Sequence, residues 1–553
     1  TWDVARPLLE RGELPTLRAL MAEGASGPLR SVIHPYTAQA WTTMATGCNQ
    51  GQHRIFDFWE RDLSRYGFRL LNASHRAAPS LWGLLGARGR RSVVVNVPQT
   101  YPPEPAPGGL LISGRDTPGL GATYTHPASL KAQLADLAGE PYVIVPDDWL
   151  HTRRGRPDLA REELYREVRV RFRVVEKLLE QEPWDLAWFV VGATDGAAHF
   201  FWRYHDRRHP LYDEAEARLY GEVVAEVYRR ADAALGRLLA RLPADTAVLV
   251  VSDHGQGPQT PLAVHLNLWL AEQGLLTLAR PAPERRGGVR RGVARVLRGV
   301  KRLAYDHLPF QSLTRVRRLF PDWLRRELGP ETFFPGIHWP DTLAYSEELR
   351  GNIWIHVRGR DPQGVVEPGE EYEALRDRII AGLADLRNPQ DGSRLVRRVW
   401  RREELYSGPF VERFPDLVVE SDTPEVFRPR GAYQGKQALR LLTAAEVAEL
   451  KTSGVHRMDG VLVVRGAGVR PGLTVEGAAL ADLAPTVLYL LGEAVPGHMD
   501  GRVLTELFEP AWLAAQPVHY QDGGGEGGHS DQDYTDEESR QVEERLAGLG
   551  YLG

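Results

Sequence analysis

Two kinds of hydrophobic run alternate along the chain. Short, continuous apolar runs occur at residues 92–97, 110–113, 185–191 and 246–251. Runs of that length with β-branched residues suit strands buried on both faces, as in a parallel sheet. Between them lie long charged stretches with helical spacing, at residues 158–182 and 213–241. Strand, helix, strand, helix at this spacing predicts an α/β fold with a doubly wound, mostly parallel central sheet flanked by helices. Residues 1–30 read as helix, turn and helix, with Pro15 opening the second helix at 16–23. Leu8, Leu9, Leu14, Leu17, Leu20 and Met21 supply the apolar face.

The alternation breaks after residue 279. Residues 280–328 are rich in arginine, with Val289, Val293, Val296, Leu297, Val300 and Leu303 on one helical face. Either this is a cap helix packing that stripe on the main body, or a basic amphipathic surface for a membrane or an anionic partner. Residues 336–440 read as mixed α/β, with strands at 351–357 and 416–420 and a helix at 371–386. A strand at 461–464 and a helix at 481–491 close the main fold. Residues 521–533 have the Gly- and Asp-rich composition of a linker, and 537–549 a short terminal helix. The expected organisation is therefore a core, first part, at 1–279; an inserted cap region at 280–440; the closing part of the core at 441–510; and a linker with terminal helix at 511–553. No internal repeat is evident.

Composition adds limits. The 553 residues are 42% hydrophobic, 9% aromatic and 25% charged, with 68 Lys+Arg against 73 Asp+Glu. That balance gives no reason to expect a nucleic-acid polymer as partner. The single cysteine, Cys48, excludes an intrachain disulfide and a cysteine-based zinc site. Any metal must be held by Asp, Glu and His. No apolar run is long enough to span a bilayer. The chain opens on Thr1 with a helix-like pattern, which gives the expectation that it begins partway into its first structural unit. Cytoplasm is the default expectation for localisation, and oligomeric state is not encoded in any pattern here.

The chemistry sits at strand ends, where doubly wound sheets place reactive groups. The run at 110–113 leads into Arg115-Asp116-Thr117-Pro118, a loop near where a site could sit and one expected to contribute to specificity. The run at 185–191 ends in Gly192-Ala193-Thr194-Asp195, with His199 four residues on. The run at 246–251 ends in Ser252-Asp253-His254-Gly255, and His456 precedes a further strand. Asp195 and His199 share a face if their segment is helical. Two carboxylates and three imidazoles suit zinc or manganese at mixed nitrogen and oxygen sites. Thr37, after Pro35-Tyr36, stands where a helix at 38–45 would begin. It is either an ordinary helix N-cap or a nucleophile at the positive end of a helix.

Taken in order, these pieces resemble the alkaline phosphatase superfamily. The branch is that of type I phosphodiesterases and nucleotide pyrophosphatases, and within it the microbial predicted phosphohydrolase/phosphomutase group. The matching stretches are Thr37 to Gly47, Gln52 to Phe58, Asp195 to Trp202, Ser252 to Gly255 and His265 to Leu270. Further on they are Val357 to Arg360 with Gly364, Gly454 to His456, Asp482 to Thr486 and Met499 to Gly501. The resemblance implies an alkaline-phosphatase-like core and a metal-dependent phosphoesterase acting on a small phosphodiester or nucleotide-like ester. It implies two divalent ions, zinc first and manganese second. Asp195, His199 and His456 would hold one ion, and Asp253, His254 and the Thr37 oxygen the other. Thr37 would become transiently phosphorylated, with the backbone N–H groups near Ala38 binding the phosphoryl oxygens. The family's first strand ends in an Asp that ligates the second metal; that run would finish where this chain starts. Arg54 stands where the family has Gly, either touching a substrate phosphate or lying at the surface. Two other functions share this pattern: a phosphotransferase or phosphomutase using the same nucleophile, and a non-catalytic binding protein with an incomplete metal site.

Overall fold

The computed structural model describes residues 1–62, 64, 66–278, 334, 336–347, 350–422, 424–428, 437–450, 452–523 and 532–548. The arginine-rich stretch 280–328 lies outside these residues, as does most of the expected linker.

The chain begins with two helices, α1 (Trp2–Glu10) and α2 (Pro15–Glu23), opened by Thr1 as N-cap and by Pro15 at the first position. Strand β1 (Ala25–Arg30) follows, then α3 (Thr37–Thr46), every residue of which is buried, and the short helix α4 (Gln50–His53). A helix with no polar face cannot lie on a surface, so α3 runs through the interior. Its hydroxyls stay satisfied inside: Thr42 and Thr46 donate to the carbonyls of Ala38 and Thr42 (2.7 and 2.8 Å), and Thr43 meets His53 Nε2 at 2.9 Å. Strands β2 (Ser92–Val97), β3 (Leu110–Ser113) and β4 (Thr125–His126) precede the 25-residue helix α5 (Pro157–Gln181). Leu164, Val168, Phe172, Val175 and Leu179 on α5 recur at helical spacing and are all buried. Then come β5 (Leu186–Phe189), α6 (Ala193–His205), α7 (Val223–Leu239), β6 (Val248–Val251) and β7 (Gly255–Pro258).

The single helix expected at 213–241 is two, Glu214–Tyr220 and α7, with Gly221 between them. Glycine is a poor helix former, and here it also allows close approach. A Cβ at Gly221 would lie 2.6 Å from the Ala217 carbonyl oxygen and 3.1 Å from that of Tyr204.

The main body closes with β8 (Gly454–Arg457), β9 (Asp459–Arg465) and α8 (Leu483–Leu490), and the chain's last described helix is α9 (Asp536–Gly548). The α/β character follows the expectation. In detail most strands of the main body fall into two sheets, with β7 and β8 paired apart from both. One runs β4-β3-β2-β5, with β2 parallel to both β3 and β5. The other has β9 antiparallel to both β1 and β6. Strands β5 and β6 face each other across a cavity of about 1010 Å³, whose walls include Trp188, Val190, Leu249 and Val251. That cavity is why both strands are only half-buried while β2 is wholly buried.

A second group of elements carries a core of its own. A four-stranded antiparallel sheet (Ala344–Tyr345, Asn352–Ile355, Leu417–Glu420, Arg398–Arg401) is covered by the helix Glu370–Ala384. Leu262 to Leu276 pack into the same cluster through Leu266, Trp269 and Leu270. Among the described residues no helix is long and apolar enough to cross a membrane.

Candidate active site

The ends of β5 and β6, the start of α3 and strand β8 converge. Asp195 sits in the first turn of α6 and His199 one turn later, so the four-residue spacing does put both on one face. His199 Nε2 lies 3.3 Å from Asp195 Oδ1. Strand β8 pairs with β7 in antiparallel register, placing His456 opposite Gln256. The His456 ring then lies 4.8 Å from that of His199 and 4.2 Å from that of His254, both edge-on. Ligand atoms of Asp195, His199 and His456 all fall within 4.8 Å of one another. His254 Nε2 is 3.4 Å from Asp253 Oδ2 and 3.9 Å from Asp195 Oδ1.

Hydrogen bonds fix which nitrogen each imidazole turns inward. His199 Nδ1 is 2.8 Å from the Gly454 carbonyl, and His456 Nδ1 is 2.7 Å from Glu425 Oε1, so Nε2 of each faces the cluster. His254 Nδ1 is 3.0 Å from the Gly255 carbonyl. This donor set, one carboxylate and two oriented imidazole nitrogens, fits a divalent transition metal.

Electrostatics agree with that chemistry. Burial opposes ionisation of Asp195, but His199, Arg115 and His254 outweigh it and hold the carboxyl well below its usual range. Burial depresses His199 too, yet the Asp195 carboxylate wins and raises it to about 9. His456 is pushed down to about 3, by burial first and then by the neighbouring His254, and is neutral as a ligand must be. Asp253 is raised by burial and by Asp195, an acid that gains from a nearby cation.

Thr37 is the first residue of α3. Tyr36 is the N-cap and contributes no side-chain cap, so the ordinary capping role is not the one Thr37 plays. Thr37 lines the same cavity as Asp195, Asp253 and His254. Ala38, fully buried, follows in the turn whose N–H groups lack intrahelical acceptors. The Tyr36 ring packs edge-on against His456 at 5.0 Å, and the Arg350 guanidinium stacks over Tyr36 at 3.8 Å.

Arg54 is not at the surface. It is buried, and its guanidinium makes two 3.1 Å hydrogen bonds to Glu60, which also receives Arg69 and Arg413. Its φ of 75° caps the end of α4 in the left-handed region, a conformation that favours glycine.

Sequence reasoning put the Arg115–Pro118 loop near a site but gave no role to three side chains that complete it. Gln256 Nε2 donates to Asp195 Oδ1 at 2.5 Å, Arg115 reaches Asp195 Oδ2 at 3.4 Å through both terminal nitrogens, and Glu425 orients His456. The one local signal for Gln256 is its place two residues after His254 at the same strand end, while Glu425 has no local signal.

The family model for type I phosphodiesterase / nucleotide pyrophosphatase matches residues 1–428. The chain belongs to this family. It is a hydrolase of phosphate esters in the alkaline phosphatase superfamily. Among solved structures, this phosphodiesterase-family chain is similar to phosphonoacetate hydrolase from Sinorhizobium meliloti 1021 in complex with phosphonoformate. That match has 15% identity, covers 88% of this chain and 92% of the other, and has a TM-score of 0.51. The same enzyme with phosphonoacetate gives 14% identity, 89% and 93% coverage, and a TM-score of 0.50. Human ectonucleotide pyrophosphatase / phosphodiesterase 5 gives 12% identity, 90% and 94% coverage, and a TM-score of 0.44. These likenesses describe the fold. No curated protein matched the sequence.

Proposed function

We propose that this phosphodiesterase-family chain hydrolyses a small phosphodiester or nucleotide-like phosphate ester, with Thr37 as nucleophile and two divalent ions, zinc before manganese, as cofactors. The observation that carries the reading is the placement of Thr37, at the start of a buried helix, in one cavity with Asp195, Asp253 and His254. Asp195, His199 and His456 would hold one ion; Asp253 and His254, with the Thr37 oxygen, the other. Bound there, such ions supply Lewis-acid charge beside a phosphoryl group. The cavity that Thr37, Asp195 and Asp253 share lies between β5 and β6. Among the described residues, β5 pairs only with β2, and β6 only with β9.

The chain's own part is a two-step displacement. The Thr37 oxygen bonds to phosphorus as the ester oxygen leaves, taking a proton. Water then breaks the phosphothreonine bond, restoring the hydroxyl and releasing phosphate or a monoester. Backbone N–H groups at Ala38 and its neighbours, at the positive end of α3, are suited to the equatorial oxygens.

The test is hydrolysis of an aryl phosphodiester, an aryl phosphomonoester and phosphonoacetate side by side, with zinc or manganese added. Thr37→Ala is expected to lower turnover on the order of 10³-fold or more. Retained turnover in that variant would remove Thr37 as nucleophile, and the preferred substrate names the bond cleaved.

A further inference from the structure

Arg115 sets a guanidinium beside the Asp195 carboxylate, and the proposed displacement gives it no step. Both its terminal nitrogens lie 3.4 Å from Asp195 Oδ2, and it lines the cavity that Thr37 and Asp253 share. Its side chain is 14% exposed, so the guanidinium is largely desolvated but open on the cavity side. A planar fork in that setting matches two oxygens of a phosphate better than any other side chain does.

The loop that carries it is held from outside by the far end of the chain. All four carbonyls from Arg115 to Pro118 accept hydrogen bonds from the C-terminal segment. Arg545 on α9 donates to those of Arg115 (2.9 Å), Thr117 and Pro118 (3.0 Å), and the Tyr534 hydroxyl donates to that of Asp116 (3.0 Å). The attachment is itself anchored. Tyr534 stacks on Tyr101 at 5.8 Å, whose hydroxyl donates to Glu538 at 2.7 Å. Val542 and Leu546 enter the main core, and Gly548 abuts Trp149 so closely that a Cβ would lie 2.2 Å from its ring. On the inner side, the buried Asp116 carboxylate accepts the backbone N–H groups of Gln99 (3.0 Å) and Tyr101 (2.7 Å). A surface tail with no function has no need of four bonds to one cavity loop.

We infer that Arg115 binds the anionic oxygens of the substrate, and that α9, with Tyr534 just before it, is a positioning element which holds the Arg115 loop at the cavity through Arg545 and the Tyr534 hydroxyl. The inference rests on the phosphoesterase reading for the identity of the anion. A bidentate contact of this kind, when lost, weakens phosphate binding about 10- to 100-fold.

The test uses the full chain loaded with zinc, comparing wild type with Arg115→Ala, Arg115→Lys, Arg545→Met and Tyr534→Phe. Three quantities are read: the Kd of inorganic phosphate by calorimetry, bound metal per chain, and the KM and kcat for the best ester. Arg115→Ala is expected to raise the phosphate Kd and KM about 10-fold or more at unchanged metal content, with partial rescue in Arg115→Lys. Arg545→Met and Tyr534→Phe are expected to move Kd and KM in the same direction, by a smaller factor, with kcat moved less. Unchanged phosphate affinity in Arg115→Ala overturns the substrate contact. Loss of metal in that variant, with phosphate affinity per loaded chain intact, shows instead that Arg115 only supports Asp195, and overturns it too. Unchanged values in both Arg545→Met and Tyr534→Phe overturn the role of α9; Tyr534→Phe removes one hydroxyl, so folding is preserved. If no ester is hydrolysed but Arg115→Ala still weakens phosphate binding, the anion site stands and the hydrolytic reading fails on its own.

Discussion

At the scale of single residues, the site depends on groups that orient its ligands as much as on the ligands. Glu425 fixes the His456 ring through Nδ1 at 2.7 Å. Burial alone would raise its carboxyl, but His456, His199 and Arg428 outweigh that and bring it down to about 2, so it is a carboxylate at any working pH. Glu425→Gln keeps the shape and removes the charge. It is expected to weaken metal binding about 10- to 100-fold, measured by competition with a chromogenic chelator; unchanged affinity would sink the orienting role. Asp195 and His199 were legible in the sequence because a four-residue spacing becomes one helix face wherever the segment is helical. Asp253-His254 was legible because it ends an apolar run. Glu425 was not, and Arg115 was legible only as part of a loop near a site, since the contacts of the two with His456 and Asp195 are tertiary and span 31 and 80 residues respectively. Periodicity carries no information over such separations.

At the scale of elements, the hydrophobic pattern located β2, β3 and α5 closely, because each buries a continuous face. It did not foresee β8, a four-residue strand whose sequence Gly454-Val455-His456-Arg457 has no β-branched run and exists through pairing with β7. The Met499-Asp500-Gly501 stretch shows another element-level cause. Gly501 and Asp500 donate their N–H groups to the carbonyl of Gly47, the residue that ends α3 (3.0 and 2.9 Å). Behind it, a Cβ at Gly501 would lie 1.9 Å from the Ala481 carbonyl oxygen. Asp482 next door caps the same junction, accepting the N–H groups of Ala479 and Arg502, both at 2.9 Å. Backbone cannot step aside as a flexible side chain can. Gly501→Ala is therefore expected to destabilise the chain by about 2–4 kcal/mol, read as a lowered denaturation midpoint at unchanged m-value. The helix it loosens begins at Thr37, so turnover should fall with it; an unchanged midpoint would show that the two segments separate without consequence.

At the scale of the whole molecule, two sheets meet across a cavity whose acids and bases are set by burial, and global stability should report them. Asp148 is the clearest case. It is 2% exposed, beside Gly196 on α6, and its carboxyl is pushed up to about 8. Burial is the main cause; the carboxylates of Glu167 and Asp195 add to it, while a backbone N–H at Trp149 and the Arg115 cation oppose it. Folded Asp148 keeps a proton that the unfolded chain has lost above about pH 4. The folded state therefore binds more protons across that window, and stability must fall as pH rises from about 4 to about 8. The ceiling for this one group is on the order of 5 kcal/mol. Asp148→Asn removes the titration and leaves the shape. Its stability relative to wild type should be near zero or slightly negative at pH 5 and should rise steadily to pH 8. Above that the gap should stay constant. Urea unfolding at pH 5, 6.5 and 8 on the metal-free chain checks this. Comparing the two proteins at each pH cancels His199, whose raised pKa of about 9 gives its own decline from about 6.5 upward. A pH-independent difference would mean that Asp148 is ionised when folded, and that charge on Arg115, not burial, governs this side of the cavity.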